Sequence, residues 1–235
     1  YRQYHNEDKF WSEIKKESFN KLKDLNLLKL SNKYWKKRII GKGNYKDSQL
    51  ALYNVKRYKI KEKNFIFLHI FKDSPFNVID KKRIFDDYFH WFIETIKIIN
   101  HSDEKWYIKF HPSYKLWGEN QKKIINFLLK KNNIILNKNI TIQNKKLSNY
   151  DIFKNAKRVV TFSGTPHLEI ASFGIKPIII SKSTLESYDK NKILKPKTLK
   201  HYEKLLLINS DSRVFKLNNI DKYIARKLLF IRENI

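Results

Sequence analysis

The residues best suited to chemistry fall in two short clusters. One is Ser163-Gly164-Thr165, followed by Pro166, His167 and Glu169. Two hydroxyls flanking a glycine leave the backbone open to an approaching oxyanion, and a helix opening at Pro166 adds N–H groups that have no partner inside the helix. This suits a phosphate. Glu169, one turn into that helix, is placed to accept hydrogen bonds from a ribose, so the cluster suits a nucleotide-activated sugar. Each residue also has a plain structural use. Ser or Thr caps a helix without any ligand, proline belongs in a first helical turn, an acidic residue near a helix N-terminus is favoured by the dipole, and His167 reads as an exposed helix residue.

The second cluster is Lys109-Phe110-His111-Pro112-Ser113. His111 comes directly after an apolar run, and Pro112 removes an N–H from any further ladder and fixes the chain's direction. The imidazole is then held at a strand end, where it can donate to a phosphate oxygen and, when protonated, offset its charge. Lys109, two residues back, lies on the same strand face and favours an anion there. A third strand end, His69-Ile70-Phe71-Lys72-Asp73-Ser74-Pro75, offers Lys72 for a phosphate and Asp73 or Ser74 for the lining of a cleft. Asp86 and Asp87 read as a solvated helix start. The histidines at 69, 90, 101, 111 and 167 lack metal-ligand spacing, and no Ser–His–Asp order stands out, so neither a metal site nor a catalytic base is assigned.

These residues need a scaffold that gathers strand ends. Apolar runs at 65–71, 106–110, 134–136, 158–162, 177–181 and 205–208 read as strands. Amphipathic stretches at 9–40, 84–99, 120–131, 149–156, 166–173 and 220–232 read as helices, with Ser148 capping the fourth and Gly174 ending the fifth. The stripe of the first runs through Trp11, Ile14, Phe19, Leu22, Leu25 and Leu28 until Gly41-Lys42-Gly43-Asn44 breaks it, as a plain connection or a basic phosphate loop. Residues 182–200 are polar and read as a loop. The alternation predicts an α/β fold: a Rossmann-like open parallel sheet with helices on both faces. Right-handed crossovers would collect the loops after Phe71, Phe110, Phe162 and Ile180 on one edge. The expected organisation is a helical lead-in over 1–50, a nucleotide-sugar-binding domain over 51–218 and a C-terminal helix over 219–235.

With 41% hydrophobic residues spread through all segments of its 235 residues, the chain can bury a core and is not a disordered polymer. No apolar run nears the roughly 18–20 residues that cross a bilayer, and no signal-peptide pattern opens the chain, so a cytoplasmic protein is expected. The lack of cysteine excludes disulfides and thiolate chemistry. Methionine is absent even at position 1, which means either that the chain begins inside a longer protein or that its methionines have been lost. Lys and Arg exceed Asp and Glu by 50 to 23, a net charge of +27, which favours anionic partners: nucleotide phosphates, an acidic glycan, an anionic membrane surface or nucleic acid. The longest basic clusters, Lys36-Lys37-Arg38 and Lys81-Lys82-Arg83, are short, so the charge reads as a solvated lysine-rich surface.

Lys109-Phe110-His111-Pro112-Ser113, followed by Thr161-Phe162-Ser163-Gly164-Thr165-Pro166-His167-Leu168-Glu169-Ile170-Ala171-Ser172-Phe173-Gly174-Ile175-Lys176-Pro177, resembles the nucleotide-binding half of GT-B glycosyltransferases. The likeness is strongest to bacterial capsule and surface-polysaccharide synthesis proteins such as the capsule β-Kdo transferases. It extends more distantly to bacterial sialyltransferases and glycerophosphotransferases of teichoic-acid synthesis. Phe85-Asp86-Asp87-Tyr88-Phe89-His90-Trp91-Phe92-Ile93-Glu94-Thr95 is also similar to those capsule proteins, and the resemblance spans residues 64–181. It implies that His111, Pro112, Ser163, Gly164 and Thr165 hold the donor's phosphate and Glu169 its ribose. It further implies a metal-independent bacterial glycosyltransferase that works in the cytoplasm or at the inner face of the membrane. Such an enzyme needs no cofactor beyond a CMP-, CDP- or UDP-linked sugar donor and uses a glycan or lipid-linked acceptor. The GT-B half that carries the acceptor site and the usual base is not represented, unless residues 1–50 are its last helix and connection. The sequence thus reads as the donor-binding portion of a glycosyltransferase. Alternatives are a CDP-polyol phosphotransferase and a non-enzymatic basic module for nucleic acid or anionic membrane; a sugar epimerase of related fold would need an acid and a base that are not identified.

Overall fold

Strands buried on both faces must be apolar on both, and the runs Asn-Phe-Ile-Phe, Trp-Tyr-Ile-Lys and Arg-Val-Val-Thr meet that demand at their central positions. The computed structural model describes residues 25–39, 60–72, 84–144, 147–181 and 183–234. Its sheet has five parallel strands: β1 (Asn64–Phe67), β2 (Trp106–Lys109), β3 (Ile140–Ile142), β4 (Arg158–Thr161) and β5 (Ile178–Ile179). Their order is β3-β2-β1-β4-β5. The helices are α1 (Leu25–Ile39), α2 (Tyr88–Ile99), α3 (Gln121–Lys131), α4 (Asn149–Asn155), α5 (Pro166–Ser172), α6 (Thr184–Tyr188), α7 (Leu199–Leu207) and α8 (Asn219–Asn234). This is the Rossmann-like architecture expected from the alternation.

Alternate strand residues feed two cores. Ile66, Trp106, Ile108, Val160 and Ile178 pack with Trp91 and Phe92 of α2, Ile125 of α3 and Tyr202 of α7. Phe65, Phe67, Tyr107 and Val159 face Ile152 and Phe153 of α4 and Ile170 of α5. Beyond these, Ile179 packs with Leu168 and Ala171 of α5, Trp35 of α1 and Ala225, Leu228 and Leu229 of α8. The chain runs outward from β1 through β2 to β3, then returns to the other side of β1 for β4 and β5. That reversal between β1 and β4 is a topological switch point, where loops leaving adjacent strands diverge and open a crevice.

Several sequence expectations are corrected. Residues 134–136 form no strand: Ile135 is exposed, and Asn137 is tied to Asn100 at the end of α2 by its N–H (2.7 Å) and its amide (3.1 Å). The chain must round that helix end before it enters the sheet at β3. Residues 205–208 belong to the end of α7, whose buried Tyr202, Leu205 and Leu206 follow helical spacing from the Thr198 cap. The 182–200 stretch contains α6 and the start of α7 rather than a plain loop. In α1, Leu25 faces solvent while Ser31, Trp35 and Arg38 are buried. Helix α2 starts four residues later than expected, because Asp87 is its N-cap and accepts from the His90 N–H at 2.7 Å. Residues 9–24 and the Gly41–Asn44 break lie outside the described residues. No described helix is long and apolar enough to cross a membrane.

The amino edge of the sheet is closed by Arg158. Its guanidinium is fully buried, lies 4.9 Å from the Trp106 ring and 5.1 Å from the Phe215 ring, and donates to Asn64 Oδ1 (3.1 Å), to the Leu205 (3.1 Å) and Leu206 carbonyls and to Glu104. It thereby satisfies carbonyls at the end of α7 and links the starts of β1 and β4. Removing it strands several acceptors. Arg158→Met is expected to cost about 3 kcal/mol or more, measured as the shift of the urea unfolding midpoint.

Candidate functional site

Parallel pairing puts the exits of β2, β1 and β4 side by side on the carboxyl edge. The β1–β2 ladder extends to Leu68 N–H on Lys109 O (2.9 Å), and the β4–β5 ladder to Ser181 N–H on Phe162 O (2.9 Å). Because β1 lies between the other two, the His111 and Ser163 exits stand two strand spacings apart, about 10 Å. The exit of β1, with His69, lies between them.

One side-chain amide fixes two of these exits. Gln121, the first residue of α3, is fully buried. Its Oε1 accepts from His111 N–H (2.8 Å), and its Nε2 donates to His69 O (2.8 Å) and to Glu119 Oε2 (3.2 Å). Glu119 Oε1 in turn accepts the Lys72 N–H. From the other side Tyr88 OH accepts the His69 N–H at 2.6 Å, and the Tyr88 ring meets the edge of Phe162 at 5.3 Å, past the end of β4. The backbone at these exits is therefore satisfied by side chains where the ladder has ended.

His111 is half-buried, its ring 5.7 Å from that of His69. Burial, then the neighbouring His69 and Lys109, lower its pKa to about 3. It is neutral near pH 7. Its Nδ1 accepts the Ser113 N–H at 3.2 Å, so the ring hydrogen sits on Nε2. Of the two expected contributions, His111 near neutral pH offers the hydrogen bond without the charge. Pro112 is exposed and leads into a run of turns closed by Glu119 N–H on Tyr114 O (2.9 Å).

Beyond β4, Thr161 Oγ1 donates to Ser163 O at 3.0 Å and curls the chain. Gly164 follows with φ +94°, a conformation a side chain would strain, and its carbonyl accepts from His167 Nδ1. Thr165 stands at the N-cap of α5 but is itself α-helical and makes no side-chain cap bond. The hydroxyls of Ser163 and Thr165 thus have no hydrogen bond among the described residues.

Two expected ligand contacts face inward. His167 is buried, not exposed, and burial brings its pKa down to about 3 against the opposing pull of the Gly164 bond, with Arg232 of α8 adding to the lowering. It positions the turn. Glu169, expected to meet a ribose, is buried as well: Oε1 accepts from Arg38 of α1, at 2.8 Å from Nε and also from Nη2, and Oε2 accepts from Asn149 Nδ2 at 3.2 Å. The carboxylate joins α1, α4 and α5 instead of reaching a ligand. Lys109 is buried, with Nζ 5.6 Å from the Phe67 ring. Lys72 Nζ donates to Gly118 O at 3.1 Å. Asp73 and Ser74 lie outside the described residues. Among those described, no group of three or more metal-ligating side chains occurs.

No protein-family model matches this chain, and no curated protein sequence does either. Among solved structures the fold is similar to KpsC, beta Kdo 2,4 transferase, of Thermosulfurimonas dismutans, at 11% identity and TM-score 0.50, over 87% of this chain and 56% of that one. A UDP-GlcNAc 2-epimerase of Methanocaldococcus jannaschii, solved with UDP-GlcNAc and UDP, aligns at 19% identity and TM-score 0.44, over 88% of this chain and 52% of that one. The chain spans little more than half the length of either protein. The likeness to the transferase is one of fold.

Two expectations follow from the buried groups. Breaking the Arg38–Glu169 pair from one side leaves an uncompensated interior charge. Arg38→Met and Glu169→Gln are each expected to cost about 3–5 kcal/mol, while the double variant Arg38→Met/Glu169→Leu costs less than their sum in urea unfolding. The histidines set the acid response. Folded His111 and His167 resist protonation to about pH 3, whereas the unfolded chain protonates them near the ordinary 6.5. Stability is therefore undiminished above about pH 6.5 and falls below it, by up to about 1.4 kcal/mol per pH unit for each ring. His167→Asn keeps a donor for Gly164 O and should make that decline shallower in unfolding curves recorded down to about pH 4.

Proposed function

We propose that this chain is the donor-binding part of a glycosyltransferase that moves a sugar from a nucleotide-activated donor to a bacterial capsule or surface-polysaccharide precursor. One observation carries the reading. Three adjacent strand exits bring His111, His69 and Ser163-Gly164-Thr165 into a row at the switch point of a Rossmann-like sheet, where such sheets receive ligands. The row is longer than one phosphate and suits a ligand with a phosphate toward one end and a base or sugar toward the other.

In this reading His111 Nε2–H meets a phosphate oxygen, and the hydroxyls of Ser163 and Thr165 meet others across the opened backbone at Gly164. As the bond between the anomeric carbon and the phosphate oxygen breaks, charge grows on the departing nucleotide. Donors already fixed in place stabilise that charge more than they stabilise the intact donor. The acceptor's hydroxyl oxygen bonds to the anomeric carbon as its proton passes to solvent, and the nucleotide leaves with the bonding electron pair. The donor is a CMP-, CDP- or UDP-linked sugar, and no further cofactor is called for. The acceptor side belongs to a second α/β half. The +27 charge supports a seat at an anionic inner membrane face, where lipid-linked acceptors lie. A fold shared with a beta Kdo 2,4 transferase is in keeping with this.

Calorimetric titration with CMP, CDP, UDP and GDP checks the reading. At least one should bind, and His111→Ala should weaken it about tenfold or more, the worth of one hydrogen bond to a charged group. No measurable affinity for any of the four rejects it.

A further inference from the structure

The outer side of α3 carries a pattern that its packing does not call for. Gln121, Ile125, Leu128 and Leu129 of this helix are buried. Lys123, Phe127 and Lys130, spaced i, i+4 and i+7, share the opposite side, where Phe127 is 63% exposed. The turns that lead into α3 expose Leu116 at 80% and Trp117 at 48%, beside exposed Lys115. The two stretches form one surface. Lys72 Nζ donates to Gly118 O at 3.1 Å, and Lys72 and Lys123 flank a shallow hollow walled by Phe71, Phe89 and Phe127.

Charge on this surface has one sign. From residue 105 to residue 150 the sequence holds a single acidic residue, Glu119, whose buried carboxylate already accepts from the Lys72 N–H and from Gln121. The acids of α2 and its approach are engaged locally, Asp86 with His90, Asp87 as the N-cap and Glu94 with Lys97. Lys115, Lys123, Lys130 and Lys131 make no ion pair among the described residues. Apolar side chains raised among lysines fit a bilayer whose lipids carry negative charge. The apolar groups enter the interface, tryptophan sits at headgroup level and the lysines meet lipid phosphates. A nucleic acid fits less well. No arginine occurs over 105–150, where bidentate phosphate recognition would use one, and an exposed leucine gives a base nothing to stack on.

We propose that the turns before α3 and the outer side of that helix form a docking surface for a bilayer carrying anionic lipid. Leu116, Trp117 and Phe127 enter its interface, and Lys115, Lys123, Lys130 and Lys131 meet its headgroups. The inference rests on the membrane seat in the reading above and gives that seat its residues. The turns start at Pro112, next to His111, so docking holds the carboxyl edge of the sheet close to the bilayer surface.

The test is co-sedimentation of the chain with phosphatidylcholine vesicles, with and without about 30% phosphatidylglycerol. The wild type should bind the anionic vesicles and leave the neutral ones. Lys123→Gln/Lys130→Gln should weaken binding about 25-fold, at about fivefold per lysine. Lys200→Gln/Lys204→Gln removes the same charge from α7, whose carboxyl end lies at the amino edge, and should change binding by no more than about twofold. Leu116→Ser/Phe127→Ser should weaken it about tenfold or more. All six positions are exposed, so unfolding midpoints in urea should stay unchanged. Lipid brominated in its acyl chains should quench Trp117 fluorescence, and Trp117→Phe should bind while losing that quenching. No binding to anionic vesicles, or equal weakening by the two lysine pairs, overturns the docking surface. Adhesion that survives Leu116→Ser/Phe127→Ser without quenching also overturns it, as does binding of an RNA oligonucleotide in place of vesicles. Nucleotide calorimetry keeps the two readings apart: UDP or CMP bound without vesicle binding leaves the donor site standing, and vesicle binding without any nucleotide leaves only the docking surface.

Discussion

The ladder of parallel backbone hydrogen bonds centred on β1 is the constraint from which the site follows. Parallel partners must run the same way, so β2 and β4, bonded to the two sides of β1, end where it ends. Nothing in their local sequence would otherwise bring His111 and Ser163 to one edge. The ladder stops abruptly, however, and the amides beyond it need other partners. Gln121, Glu119 and Tyr88 supply them. Each comes from a helix or its approach, so the crossover helices both cover the sheet and finish its hydrogen bonding.

The site that results is built more from neutral donors than from charge. His111 is uncharged near neutral pH, and the Ser163 and Thr165 hydroxyls carry none. The two described lysines nearest the row are already engaged, Lys109 against the Phe67 ring and Lys72 on the Gly118 carbonyl. In the proposed reading the large basic excess of the chain acts over a distance, drawing anions toward the surface, and discrimination at the edge falls to oriented hydrogen bonds, which depend on how well the exits are held.

Much of this was legible in the sequence. The alternation gave the α/β class, and the His-Pro and Ser-Gly-Thr segments stood out because proline and glycine mark places where the backbone leaves regular structure. What escaped depended on contacts between residues distant in the chain. Glu169 looked like a ligand for ribose because its position in the helix is plain, whereas its partner Arg38 lies 131 residues away and leaves no local trace. Gln121 read as an ordinary helix residue for the same reason. His69 was hidden in an apolar run. The leucines of 205–208 form a short apolar run that fits either period, and only the capping Thr198 and buried Tyr202 reveal the helix.

The buried carboxylate of Glu169 also bears on where this module can be divided. Its counter-ion is supplied by α1, a segment that contributes no strand and would look dispensable on a topology diagram. A fragment trimmed to start at the first strand would keep every strand of the sheet and yet leave the Glu169 carboxylate of α5 without its counter-ion. The lead-in helix thus works as a matched key, and a foreign one grafted in its place would have to bring its own cation to the same spot.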